Sequence, residues 1–474
     1  MTEPKQSFAP RTPTFGVSIL VLLICIATLT VGIILLKQPP NVPLILCGLV
    51  MGGYGVALGI PWSDLMDSAW DSIRSSLEAV MIVMIIGMVV GSWIAAGTVP
   101  YIIFWGLRLF RPEWILPFTV IFCAVLSTLT GSSWTTAGTI GIAFLGIGLS
   151  MGIPGPILAG AICCGAFFGD AESPLSDGFN FATAVSESGL YNGVKGTVVS
   201  LLPALLLSAV LMGFIGSGYR ADPEDVVQSA QIAQTLQGLD AGFNLSPLTL
   251  LPAVVLLILL VVKAPAIPSM LAAAASGVLV DVVVQGATLQ EALSYLMTGY
   301  VGHTGVESVD AIISRGGMTS MMDTVAIMIL SMWMAGIMLR TGIVPVVLGK
   351  ISDLVTRVTP LVALTNFLTL AFSYFAADCY LAMALPSKAL GGAYDALGLD
   401  RNVLCRSTVN GVVFAPMVPW GTSGVYIAGT LGIATTSYLP YYFLGIMSPL
   451  CAIAFAALGI GTFKAKQGSA PRKR

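Results

Sequence analysis

EAVMIVMIIGMVVGSWIAAGTVPYI, residues 78–102, returns 245 positions later as DTVAIMILSMWMAGIMLRTGIVPVV, residues 323–347. Glu78 meets Asp323, Gly91 meets Gly336, Gly97 meets Gly342, and Val99-Pro100 meets Val344-Pro345. With one residue of drift, STLTGSSWTTA (127–137) lies over SYFAADCYLAM (373–383), and GAFFGDAESPLSD (165–177) over GVVFAPMVPWGTS (411–423). Three blocks in one order at nearly one spacing describe a chain written twice. Weak internal symmetry of this kind marks transporters built from two structural repeats. An odd number of spans in each repeat would point the halves opposite ways, so an inverted pair is the expectation.

The composition fits. Of 474 residues, 56% are hydrophobic and only 9% charged, with mean hydropathy +0.92, whereas a soluble domain carries about a quarter of its residues charged. Apolar stretches near 15–36, 43–60, 78–97, 113–130, 156–170, 194–216, 248–262, 264–285, 324–341, 360–377 and 436–460 approach the length that crosses a bilayer. The expectation is an all-α polytopic membrane protein of about ten to twelve spans. The first apolar run lacks a small-residue cleavage site and reads as a retained helix. A tail (1–14), a first repeat (15–216), a polar linker (217–246), a second repeat (247–462) and a basic tail (463–474) divide the chain. The linker, SGYRADPEDVVQSAQIAQTLQGLDAGFN over 217–244, reads as solvated and partly helical. Five bases among the last eleven residues put the C-terminus in the cytoplasm by the positive-inside rule. A net charge of −2 gives no reason to expect nucleic acid. The eight cysteines lie in or beside apolar runs without CxxC spacing, as plain buried thiols do.

Against this background GDAESPLSDG (169–178) stands out, with Asp170, Glu172 and Asp177 at the end of an uncharged run. Both halves carry such interruptions at membrane depth. TGSSWTTAG (130–138) and GDAESPLSD fall in the first, AADCY (376–380) and APMVPWGTSG (415–424) in the second. Irregular backbone in a bilayer is tolerated only inside protein or along a water-filled cavity, and polar clusters there are expensive. Paired breaks form the substrate and ion sites of secondary transporters. Gly131, Pro174, Pro419 and Trp420 would shape them, while Ser132, Ser133, Thr135, Ser173 and Ser176 offer hard oxygens suited to a hard cation. A poorly hydrated Asp170 or Asp177 must take up a proton, bind a cation or pair with a base, the nearest in sequence being Lys195. One carboxylate neutralised by either H⁺ or Na⁺ is a minimal exchange device. Asp378, opposite Ser132 in the repeat, is its natural second member. His303, the single histidine, reads as a satisfied surface residue, and Glu78 and Asp323 as acids at helix N-termini. The G-x-x-x-G pairs Gly48/Gly52, Gly87/Gly91 and Gly165/Gly169 read as close helix packing.

GSSWTTAGTIGIAF (131–144), AGAICCGAFFGDAESPLSD (159–177), SRGGMTSMMDTV (314–325), TGIVPVVLGKI (341–351), VPWGTSG (418–424) and YLPYYF (438–443) follow one another in an order that resembles the NhaC-type sodium/proton antiporter family. That group includes a sodium-coupled malate/lactate exchanger. The resemblance implies a sodium-coupled antiporter in a bacterial-type cytoplasmic membrane, with two inverted repeats containing re-entrant hairpins. By position it carries over Asp170, Ser173, Pro174, Ser176, Asp177 and Asn180. The chain departs from the family pattern at Ala171, Glu172, Gly178 and Phe179, at Val409-Asn410 where an acidic pair is common, and at Gly421 where the pattern reads PWN. These departures leave the exchanged solute open between Na⁺ for H⁺ and a sodium-coupled small organic anion or amino acid.

No cofactor is expected beyond Na⁺ and H⁺ as transported ions, and no transition metal. A homodimer is an expectation from fold-level analogy. The rivals are an intramembrane enzyme, for which GxSxG, HExxH and a histidine beside a nucleophile are all missing, and a passive channel, against which the two matched breaks argue.

Overall fold

Lipid cannot satisfy backbone N–H and C=O groups, so an uncharged run closes its hydrogen bonds within itself as a helix. The computed structural model describes residues 11–219, 226–262, 264–352 and 357–464. Among these residues it contains helices and one isolated bridge, Leu399 to Lys464. In the first half the helices are α1 (Phe15–Thr30), α2 (Asn41–Ala57), α3 (Trp62–Ser75), α4 (Leu77–Ala95), α5 (Thr98–Leu109) and α6 (Pro112–Thr130). The break follows, then the short α7 (Ser133–Thr136), α8 (Ile142–Ser150), α9 (Gly155–Glu172), α10 (Asp177–Val185) and α11 (Leu190–Ser217). Between the halves lie α12 (Val226–Gly242) and α13 (Leu251–Val261). The second half runs α14 (Ala266–Val280), α15 (Leu289–Thr298), α16 (Glu307–Ile313), α17 (Met322–Thr341), α18 (Ile343–Ser352), α19 (Val358–Ala376) and α20 (Cys379–Ala396). It closes with α21 (Arg401–Thr408), α22 (Asn410–Phe414), α23 (Thr422–Leu431), α24 (Thr435–Tyr438) and α25 (Phe443–Ala457).

Seven of these helices are long and apolar enough to cross a membrane, nine if each of two bent pairs counts as one crossing. The chain is an integral membrane protein. The count falls below the ten to twelve crossings read from hydropathy because apolar runs fold in pieces. Thr435–Tyr441 and Phe443–Ala457 meet at 49°, Ile232–Gly242 and Pro247–Leu260 at 94°, and Asn41–Ala57 stops at 17 residues. The polar stretch between the halves is not a free tether, for Leu239 and Phe243 are buried and α12 packs on α5 and α16. Arg220, Asp222, Glu224, Asp225 and the basic tail from residue 465 lie outside the described residues.

Some local conformations occur in both halves. Gly97 and Gly342 follow α4 and α17 with φ of 77° and 73°. Each of α1 and α14 ends in a five-residue π-turn, Val31–Leu35 and Asp281–Gln285. The halves also exchange walls, since α2 and α3 pack on α17 while α14 and α15 pack on α4. Gly91 and Gly336 make these contacts close. A Cβ on Gly91 would run into the Tyr295 carbonyl, and one on Gly336 would come within 2.5 Å of the Ser68 carbonyl. The Ser68 hydroxyl in turn donates to the Gly336 carbonyl at 2.8 Å. Gly87, Gly165 and Gly169 likewise admit the backbone of Gly317, Val120 and Thr128, as the packing reading of G-x-x-x-G expects.

Candidate functional site

Both breaks are built the same way. α6 ends on Gly131, whose φ of 71° turns the chain left-handed, and Ser132 then caps α7 from extended backbone at φ −143°. α19 ends on Ala377 at φ 54°, and Asp378 caps α20 from φ −137°. The cap oxygens accept from the Thr135 and Leu381 amides at 3.2 and 2.8 Å. Ser132 and Asp378, paired in the sequence alignment, thus both cap a helix that follows a left-handed turn. The second pair of breaks is offset by one residue from that alignment. α10 starts at Asp177 behind the cap Ser176, and α23 starts at Thr422 behind Gly421. The helix starts therefore stand 245 residues apart, which sets Pro174 at the position of Pro419 and Phe181 at that of Tyr426.

Asp170 sits on the last turn of α9, where the breaks of the first half meet. Its carboxylate accepts from the Ser133 hydroxyl at 2.5 Å, the Ser133 amide at 3.3 Å and the Ser176 hydroxyl at 2.5 Å. Ser133 and Ser176 are fully buried and Asp170 is half-buried. No ion pair among the described residues includes Asp170, Asp177 or Asp378, so Lys195 is not Asp170's partner. Cys379 and Tyr380, just past the second break, lie within electrostatic range of both Asp170 and Asp378, and Tyr380 of Asp177 too. The carboxylates of the two halves therefore border one neighbourhood.

The remaining candidates divide. Ser132 and Thr135 bond to each other at 3.0 Å. Ser173 donates to the Thr128 carbonyl at 2.7 Å and fastens α9 to α6. Asp177 and Asn180 are exposed, and the Asn180 amide holds the Pro174 carbonyl at 3.1 Å. Trp420 donates to the Tyr374 carbonyl at 2.9 Å, and Ser331 to the Trp420 carbonyl at 2.6 Å. None of these side chains other than Ser133 and Ser176 bonds to Asp170. His303 is exposed, and Glu78 and Asp323 lie in the first turns of α4 and α17. Glu172 is only 8% exposed, and neither carboxyl oxygen has a hydrogen-bond partner among the described residues.

Sequence reasoning missed two arrangements. Asn410 donates to Asn366 and accepts from Ser448, a fully buried chain through α22, α19 and α25. Trp134 stacks on Tyr426 at 4.3 Å and 6° and donates to Ser423 at 3.2 Å, while the Tyr426 hydroxyl donates to the Trp134 carbonyl at 2.6 Å. The departure at Asn410 was the one available signal for the first. Nothing in sequence links residues nearly 300 positions apart for the second.

The sequence pattern of the Na⁺/H⁺ antiporter family matches residues 165–460. The chain belongs to that family. It is 33% identical over 453 residues to the Na⁺/H⁺ antiporter NhaC of Alkalihalophilus pseudofirmus, covering 95% of this chain and 97% of that one. It is similarly related to the malate-2H⁺/Na⁺-lactate antiporter of Bacillus subtilis, at 33% over 450 residues with 95% and 96% covered. The arginine/ornithine antiporter ArcD of Halobacterium salinarum is 35% identical over 471 residues, with 96% and 95% covered. These antiporters differ in what they carry, so membership in the family supports antiport and leaves the solute to the site.

Proposed function

We propose that this antiporter-family chain exchanges Na⁺ for H⁺, with Asp170 as the carboxylate that holds either ion in turn and Asp378 as its counterpart from the other half. The observation that carries the reading is Asp170 itself: half-buried, held by Ser133 and Ser176, and joined by no basic side chain. A carboxylate so placed is costly as a bare anion and is stabilised by whichever cation reaches it. Two ions that compete for one such group cannot be bound together, so their movements are coupled. The two broken halves supply the alternating access, in an inverted arrangement with the site between them. The cell membrane, with the C-terminus in the cytoplasm, is the setting this reading assigns.

Everted vesicles report the exchange directly. Addition of Na⁺ should dissipate a preformed pH gradient in vesicles carrying the chain and not in those lacking it. A second reading, sodium-coupled exchange of a small organic solute, is favoured by the equally similar malate/lactate and arginine/ornithine relatives. Uptake of labelled malate, lactate or arginine without any Na⁺-driven proton movement would select it.

A further inference from the structure

Asp170 and Glu172 leave the same helix end in different directions. Two residues of an α-helix are turned by about 200° relative to each other. While Asp170 meets Ser133 and Ser176, Glu172 lies beside Thr197 of α11 and Cys405 of α21. Its side chain is closed in, at 8% exposed, and neither carboxyl oxygen accepts a hydrogen bond among the described residues. The chain departs from the family pattern at this position, so the acid is no part of that pattern.

The surroundings offer Glu172 lone pairs and no protons. The fully buried Thr197 hydroxyl donates to the Gly193 carbonyl at 3.1 Å. Ser186 and Ser188, which stand beside the Cys405 thiol, donate to the carbonyls of Ala182 at 2.7 Å and Gly189 at 3.3 Å. No base compensates, for Glu172 is in no ion pair among the described residues. Lys195 on α11 is exposed, Arg401 on α21 pairs with Asp395 at 2.6 Å, and Arg406 turns Nη1 to the Ile460 and Gly461 carbonyls. Asp177, at the start of α10, is an acid and exposed. A bare carboxylate in this place would be dehydrated and unpaired, the costliest form it could take. A hard metal cation would need a shell of oxygens, and the neighbouring thiol is a soft donor that suits it poorly. A proton needs one oxygen. Polar groups lead from the acid toward water. Asn402, one turn before Cys405, donates to Asn192 at 3.2 Å, and Asn192 donates to half-buried Asp400 at 2.7 Å.

We propose that Glu172 is a second proton site of this chain, separate from Asp170 and closed to Na⁺, and that its proton crosses with each cycle. The proton comes from water and returns to water, making and breaking one O–H bond on the carboxyl, so no other reactant is consumed. Asp170 alone, trading one Na⁺ for one H⁺, moves no net charge. The further proton on Glu172 makes the exchange electrogenic. This rests on the exchange proposed above, and experiment separates the two.

The full-length chain in proteoliposomes, with the membrane potential set by K⁺ and valinomycin, reports the net charge. For one net charge per cycle, each ~60 mV should shift the Na⁺ gradient at which flux reverses about tenfold. Wild type should follow that line. Glu172→Gln copies the protonated acid and can release nothing, so it should still exchange Na⁺ for H⁺ with a balance point that ignores the potential. Glu172→Leu, whose side chain needs no partner, should behave the same way and guards against a folding defect in the first variant. Infrared difference spectra of wild type minus Glu172→Gln should show the C=O band of a protonated carboxyl, unaffected by Na⁺. A balance point independent of potential in the wild type, the same potential dependence in both variants, or no protonated-carboxyl band would overturn the inference. Should the wild type move no protons when Na⁺ is added, the exchange reading falls, and the infrared band still decides whether Glu172 holds a proton.

Discussion

Replacing Asp170 by asparagine tests the exchange site with little change of shape. The side chain keeps its size and one oxygen, which can still accept from Ser133 or Ser176, so one of the two short hydroxyl bonds is lost. A hydrogen bond to a charged group contributes about 1.5–3 kcal/mol, and the relief of no longer desolvating a charge offsets part of that. The fold should survive, with Tm lower by a few degrees at most. The ion loses far more. A unit charge about 4 Å from a cation, at an effective dielectric constant of about 20, is worth about 4 kcal/mol, or roughly a thousandfold in affinity. Dequenching of a ΔpH-sensitive dye on addition of Na⁺ to everted vesicles should therefore fall to background, while the protein still inserts and elutes as a single species from size exclusion. Exchange within about tenfold of wild type, at equal protein, would refute the assignment, because a loss of that size corresponds to only about 1.4 kcal/mol.

Asp378→Asn should also weaken Na⁺-driven proton movement while leaving Tm nearly unchanged, because asparagine caps a helix about as well as aspartate; a variant with full exchange would confine Asp378 to capping α20. The two left-handed turns predict opposite signs. Ala377→Gly should raise Tm by relieving the cost, about 1–2 kcal/mol, that a Cβ pays at φ 54°. Gly131→Ala should lower it by more than that cost, because its Cβ would also press within 2.5 Å of the Leu175 backbone. Thermal unfolding in detergent of the pair decides, and a matching sign for both would be the adverse result.

The glycines and caps shared by the matched blocks were legible because few other residues can take their places. Gly91 and Gly336 must let a backbone through, Gly97 and Gly342 must turn left-handed, and Ser132 and Asp378 must cap. Asp170 was legible because a charge at the end of an uncharged run has few physical uses. The register of α10 against α23 was not, since a one-residue slip changes little in composition and only the caps Ser176 and Gly421 define it. Ser173 is legible as an oxygen beside the break, but the direction of its proton, donated to the Thr128 carbonyl, is not. The rings that meet across the halves could not be read at all. Nothing local distinguishes Trp134 packed on Tyr426 from Trp134 facing lipid.

The exchange of walls between α4 and α17 bears on how such a chain can be divided. Neither half owns the surface that covers its own long central helix, so a polypeptide cut between α11 and α13 yields two fragments that are obligate partners. Expressed singly, each would leave the glycine-lined flank of α4 or α17 without its complement.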